Sequence, residues 1–162
     1  MDELVSIREL IAWGARQFEQ HALVYGHGTD NALDEAASLV LYALDIGYDQ
    51  PDSILDTVPA EAGLKRAQAL LAARIESRKP AAYLIKQAWF AGRPFYVDER
   101  VLVPRSPLAE LIEARFVPWI NPDRVGALLD LCTGSGCIGI SCAHVFPAAT
   151  VTASDISAGA IA

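Results

Sequence analysis

The chain has 162 residues, is 52% hydrophobic and carries a formal charge of −7, enough for one large domain or a small domain with part of another. No apolar run reaches the ~18 residues of a membrane span. The start, Met1-Asp2-Glu3-Leu4-Val5, lacks the basic and apolar regions of a signal peptide, so the cytoplasm is the expected compartment.

Residues 3–22 read as an amphipathic helix, with Leu4, Ile7, Leu10, Ile11, Ala15 and Phe18 at helical spacing. Gly26-His27-Gly28 breaks it. Asp30 or Asn31 can cap a second helix whose stripe is Ala36, Leu39, Val40, Ala43 and Leu44, closed by Gly47. Tyr48 to Val58 is a connector with room for one short turn after Pro51. A third helix runs from Pro59 to about Arg78, burying Leu64, Ala67, Leu71 and Ile75 and exposing Lys65, Arg66, Arg74 and Arg78. Pro80 ends it, because the residue before a proline disfavours the helical region. The expected core centres on Leu10, Phe18, Leu39, Leu44, Leu71 and Ile75.

The texture then changes. The run from Ala88 to Val97 and the run Val101-Leu102-Val103 are β-rich and are separated by Asp98-Glu99-Arg100, which suggests an irregular hairpin. Pro104-Arg105-Ser106-Pro107 is a stiff corner, with Ser106 placed to cap a helix that has Pro107 at its first position. That helix carries Leu108, Leu111, Ile112, Ala114 and Arg115 toward Phe116. After the loop Asn121-Pro122-Asp123 an α/β pattern begins near Val125: strand, glycine loop, helix from Cys137 to about Val145, break at Phe146-Pro147, strand.

Charge is uneven. Residues 1–60 hold 11 acidic and 2 basic side chains, whereas residues 61–162 hold 9 and 11. The acidic half argues against direct binding of nucleic acid and suits a basic protein partner. On composition alone, a solvated helical surface is the plainer explanation. Cys132, Cys137 and Cys142 lie five residues apart, which fits neither a zinc half-site nor a disulfide framework. Cys137 and Cys142 suit small apolar packing positions. His21, His27 and His144 are dispersed, so no metal is expected.

The glycine loop carries the chemistry. Gly134-Ser135-Gly136-Cys137-Ile138-Gly139 follows an apolar strand ending in Asp130, and a second strand ends in Asp155. Glycines let the backbone approach a ligand, and the second carboxylate can accept ribose hydroxyls, as in adenosine-bearing cofactors. A nicotinamide-dependent oxidoreductase is one reading. Asp130 counts against it, since a carboxylate there sits badly beside a pyrophosphate and suits the sulfonium and ammonium of S-adenosylmethionine. Taken singly, Asp130 and Asp155 could be a helix cap and a turn former. Their joint placement around this loop favours the cofactor.

These residues also resemble a family. The run Asp130-Leu131-Cys132-Thr133-Gly134-Ser135-Gly136-Cys137-Ile138-Gly139, with Ser154-Asp155-Ile156-Ser157 and with Phe90-Ala91-Gly92 through Val101-Leu102-Val103-Pro104-Arg105-Ser106-Pro107, is similar to the protein-glutamine N5-methyltransferases. The specific likeness spans Tyr83 to Ala162; before that, only a compact helical bundle is shared. The Pro-Arg-Ser-Pro corner and the Leu-Cys-Thr-Gly-Ser-Gly-Cys-Ile loop resemble the branch that modifies a large-subunit ribosomal protein. The release-factor branch usually has Pro-Asp in place of Ser106-Pro107 and Gly in place of Cys132.

The resemblance implies an α/β chain in three parts. Residues 1–80 would be a helical substrate-recognition bundle, 81–105 a β-hairpin linker, and 106–162 the start of a Rossmann-like seven-stranded methyltransferase domain. It implies S-adenosylmethionine as cofactor, bound by Asp130, Cys132, Thr133, Gly134, Ser135, Gly136 and Asp155, and a basic ribosomal protein as substrate. The family's catalytic Asn-Pro-Pro-Tyr does not occur here, and Asn121-Pro122-Asp123 lies on the wrong side of the first strand to replace it. No residue of this chain inherits the catalytic role. The 162 residues alone are expected to be inactive, to bind the cofactor weakly at best, and to leave the apolar faces of their two strands short of neighbours. A non-catalytic protein-binding piece is the remaining alternative.

Overall fold

The computed structural model describes residues 5–26 and 28–161. The expected helix start at residue 3, Leu4 of the first stripe, and His27 therefore lie outside the described residues. The chain divides into two compact units, one up to Ile85 and one from Lys86.

The first unit is helical. α1 (Ile7–Gln20) begins at a capping box. Glu9 N–H donates to Ser6 Oγ at 3.2 Å, and Ser6 N–H donates to the Glu9 carboxylate at 2.8 Å. That reciprocal bond depresses the Glu9 pKa. α2 (Ala32–Ala43) is capped by Asn31, whose side-chain oxygen accepts from Asp34 N–H at 2.9 Å. A short 3₁₀ turn (Asp52–Asp56) follows, as Pro51 suggested. α3 (Glu61–Ser77) ends at Arg78, which takes the left-handed conformation with φ of 56°.

The apolar stripes meet as expected. Leu10, Phe18, Leu39 and Leu71 are fully buried, and Leu44 and Ile75 pack at the edge of the same cluster. Gly14 lets α1 come close to α3: a Cβ there would lie 2.9 Å from Leu71 Cδ2.

α3 ends ahead of Pro80 as expected, and Pro80 then opens a further turn, α4 (Ala81–Ile85), with Tyr83 N–H donating to Pro80 O at 3.0 Å. One feature departs from expectation. Arg74, expected on the exposed side of α3, is 1% exposed. It follows Ala67 and Leu71 on the same stripe, and α2 supplies the carboxylate that lets a guanidinium sit there. Arg74 Nε donates to Glu35 Oε2 at 3.0 Å, and Nη2 donates to Val24 O at 3.0 Å. The other Glu35 oxygen accepts from Ala81 N–H at 3.2 Å.

The second unit opens with an antiparallel hairpin, β1 (Gln87–Phe90) with β2 (Arg93–Tyr96), in which Ala88 faces Phe95 and Phe90 faces Arg93. Its turn is Ala91-Gly92, both at positive φ, which suits the twist of a two-residue hairpin loop. Val101-Leu102-Val103, expected to be β-rich, forms no strand. Asp98 instead organises the Asp98–Arg100 segment, accepting from Arg100 N–H at 3.0 Å and pairing with its guanidinium. α5 (Leu108–Glu113) follows, with Leu108 N–H donating to Ser106 Oγ at 3.2 Å.

A β-α-β segment completes the unit: β3 (Ala127–Leu131), α6 (Cys137–Val145) and β4 (Thr150–Ser154). β3 and β4 pair in parallel with Leu128 opposite Val151 and Asp130 opposite Ala153. A last turn, α7 (Ala158–Ile161), follows. Phe90, Phe95, Ile112, Cys137 and Cys142 form the core of this unit. The described residues thus make a mixed helix-and-sheet chain with two small two-stranded sheets. Leu129 and Leu131 on β3 are 66% and 70% exposed.

Candidate cofactor site

The loop between β3 and α6 turns sharply. Cys132, Gly134 and Gly136 all have positive φ, at 63°, 55° and 75°. Only glycine takes this region without strain, so Cys132 is the costly member. Beside Gly134 the space is open: a Cβ there would meet nothing within 4 Å. Hydrogen bonds help to shape the loop. Gly136 N–H donates to Thr133 O at 2.9 Å, and Thr133 N–H donates to Ser154 O at the end of β4 at 3.0 Å.

Two carboxylates complete the stitching. Asp130 Oδ2 accepts from Thr133 Oγ1 at 2.5 Å and from Gly139 N–H at 2.8 Å. Gly139 is needed for that approach, because a Cβ there would lie 2.9 Å from the same oxygen. Asp155 Oδ1 accepts from Ser157 N–H and Oδ2 from Gly134 N–H, both at 2.9 Å. These N–H donors, Ser157 foremost and then Gly134, hold the Asp155 carboxyl below its usual value.

The seven residues singled out from the sequence therefore lie together. Asp130, Cys132, Thr133, Gly134, Ser135 and Gly136 line one turn, and Asp155 reaches it through Gly134. The pKa of the Cys137 thiol is pushed up mainly by burial. Cys132 is exposed, whereas Cys137 and Cys142 are buried.

Two neighbours were not picked out. Gly139 seats Asp130, a role hinted at by the third glycine of the motif. Ile156, beside Asp155, is completely exposed and offers apolar surface at the site. Asn121 is occupied as a cap, its side-chain oxygen accepting from Asp123 N–H at 3.1 Å at the start of a 3₁₀ turn (Pro122–Arg124). Among the described residues no group of three or more His, Cys, Asp or Glu could hold a metal ion, and no helix is long and apolar enough to cross a membrane.

A ligand at this turn meets two carboxylates and half-buried glycine backbone. Two of the amides that a phosphate would need, those of Gly134 and Gly139, already donate to carboxylates. The turn therefore suits an uncharged or cationic ligand with hydroxyl donors better than a pyrophosphate.

The chain is similar over 161 residues, 99% of its length, to the ribosomal protein uL3 glutamine methyltransferase of Xanthomonas campestris, at 48% identity and covering 52% of that protein. The protein of the same name from Xylella fastidiosa is also 48% identical, over 99% of this chain and 51% of its own. That from Francisella tularensis is 43% identical, over 100% of this chain and 52% of its own. The chain spans about half the length of the curated relatives it matches. No family model matches it. These relatives bear out the resemblance to the ribosomal-protein branch of the glutamine methyltransferases drawn from the Pro-Arg-Ser-Pro corner and the glycine loop.

Proposed function

We propose that this chain is part of an S-adenosylmethionine-dependent methyltransferase that modifies the side-chain nitrogen of a glutamine in ribosomal protein uL3. One observation carries the cofactor assignment: the glycine turn is bounded by two carboxylates that take up its backbone donors. A dinucleotide's pyrophosphate needs those donors free and no anion beside them. S-adenosylmethionine has no phosphate and carries positive charge, so the same turn favours it. The names and the 43–48% identity of the relatives support the reaction and the substrate.

In this assignment Gly134 and Gly136 admit the ligand close to the backbone. Asp155 accepts from the ribose hydroxyls, Ile156 offers apolar surface to the purine, and Asp130 faces the cationic end. Cys132, Thr133 and Ser135 complete the turn. The bound cofactor supplies an electrophilic methyl on sulfur. The chain's own contribution is positioning and electrostatic complementarity. A glutamine amide nitrogen is a poor nucleophile, because its lone pair is delocalised into the carbonyl. It must be aimed by hydrogen-bond acceptors, and none of these is assigned to this chain.

β3 and β4 are read as two strands of a Rossmann-like seven-stranded sheet, with the hairpin linker beginning at Lys86, because residues 81–85 are helix of the first unit. The first unit then forms the recognition domain, whose acidity complements a basic ribosomal protein. The cytoplasm is the matching compartment.

The test is a millimolar titration followed by amide NMR, which detects weak binding. S-adenosylmethionine is expected to shift Gly134, Gly136 and Ile156, and NAD to leave them unmoved. Shifts with NAD and none with S-adenosylmethionine would restore the oxidoreductase reading. Silence with both ligands removes the cofactor site from these residues.

A further inference from the structure

Asp155 uses both carboxylate oxygens on backbone N–H groups, but the two bonds do different work. The bond from Ser157 is local, two residues along. The bond from Gly134 spans 21 residues of sequence and joins the end of β4 to the glycine turn. Its neighbour runs in parallel: Thr133 N–H donates to Ser154 O at 3.0 Å. Two successive turn amides are thus tied to two successive residues at the β4 end. Gly134 has no side chain, and the place of its absent Cβ touches nothing. Packing does not hold it, and glycine has the most backbone freedom to lose on being fixed. We infer that Asp155 is a positioning residue for the glycine turn, holding Gly134 in place before any ligand arrives, in addition to accepting the ribose hydroxyls. A turn set in advance spares the ligand the cost of ordering it.

This deepens the cofactor assignment and rests on it only for the effect on binding. The structural arm of the test needs no ligand. Asp155→Asn keeps one oxygen for Ser157 but loses the second anionic oxygen, and amide exchange is measured on the ligand-free chain. Exchange at Gly134 is expected to quicken by roughly tenfold or more, with Ser157 much less affected. Unchanged exchange at Gly134 overturns the inference. Should the variant fold poorly, acid titration of the unaltered protein gives the same answer. The Gly134 amide shift must follow the midpoint of the Asp155 carboxyl, and the Gly139 amide, which is bonded to Asp130 instead, is the comparison. A Gly134 shift that ignores the Asp155 midpoint also overturns it.

The binding arm compares adenosine with 2′,3′-dideoxyadenosine. If Asp155 served the ribose alone, Asp155→Asn would leave the dideoxy nucleoside's affinity unchanged, and that result overturns the positioning role in binding. A loss for both nucleosides, larger for adenosine, is the expected outcome. If neither nucleoside binds the unaltered chain, the cofactor assignment fails and amide exchange alone decides the inference.

Discussion

The Glu35–Arg74 pair is the most exposed point of this structure to perturbation, because both side chains are only 2% accessible. Removing one partner strands the other charge inside the first unit. Glu35→Met leaves the Arg74 guanidinium its bond to Val24 O and takes the acceptor from Ala81 N–H. Arg74→Met leaves a buried carboxylate held by Ala81 N–H. Each single change is expected to cost ~3–5 kcal/mol, a large part of a small unit's typical ~5–15 kcal/mol. Replacing both by methionine strands no charge. Val24 is 71% exposed, so its carbonyl can turn to water, whereas Ala81 is 4% exposed and its N–H becomes an orphan. That orphan costs about 1–3 kcal/mol. The double variant is therefore expected to be at least as stable as either single one, with coupling of about 3 kcal/mol or more. Urea denaturation followed by helix circular dichroism measures all four corners of the cycle. Single variants within about 0.5 kcal/mol of the parent, or a double variant equal to the sum of the singles, would refute the view that pairing makes this burial tolerable.

Three further outcomes follow from the second unit. Gly139→Ala should destabilise the chain and weaken ligand binding, although alanine ordinarily favours a helix by ~1 kcal/mol, because its Cβ would lie 2.9 Å from Asp130 Oδ2; a rise in thermal midpoint would contradict this. The Asp155 carboxyl should titrate below its ordinary 3.8, because the ionised form is bonded in the folded chain. Its contribution to stability is then present above pH 3.8 and is lost only as the pH falls through the depressed value; carboxyl-carbon NMR with a midpoint at or above 3.8 would refute the bonding pattern. Of the three thiols, Cys132 should react with a disulfide reagent much faster than Cys137 and Cys142, whose pKa values are raised chiefly by burial; equal rates would show that α6 does not shield them.

The parts of this protein legible in one dimension are those set by local rules. The stripes through Leu10, Phe18, Leu39 and Leu71 follow the 3.6-residue period. Their partners across the core follow because three such faces must cover one another. The glycine turn and its two carboxylates were equally readable, since strand, turn and helix lie within one short segment and positive φ calls for glycine. What stayed hidden depends on residues far apart in the chain. Arg74 looked like a surface cation until Glu35, 39 residues earlier, was placed beside it. The hairpin turned at Ala91-Gly92 rather than joining the Val101 run, a choice made by backbone twist and by Asp98 engaging Arg100. Asp155 could be read as an acceptor, but its bond to Gly134 could not be, because the parallel pairing of β3 with β4 is what brings those two residues together. Periodicity and residue type specify which face is apolar and where the chain turns; only packing decides which distant polar groups meet, since that depends on register and distance rather than on either residue alone.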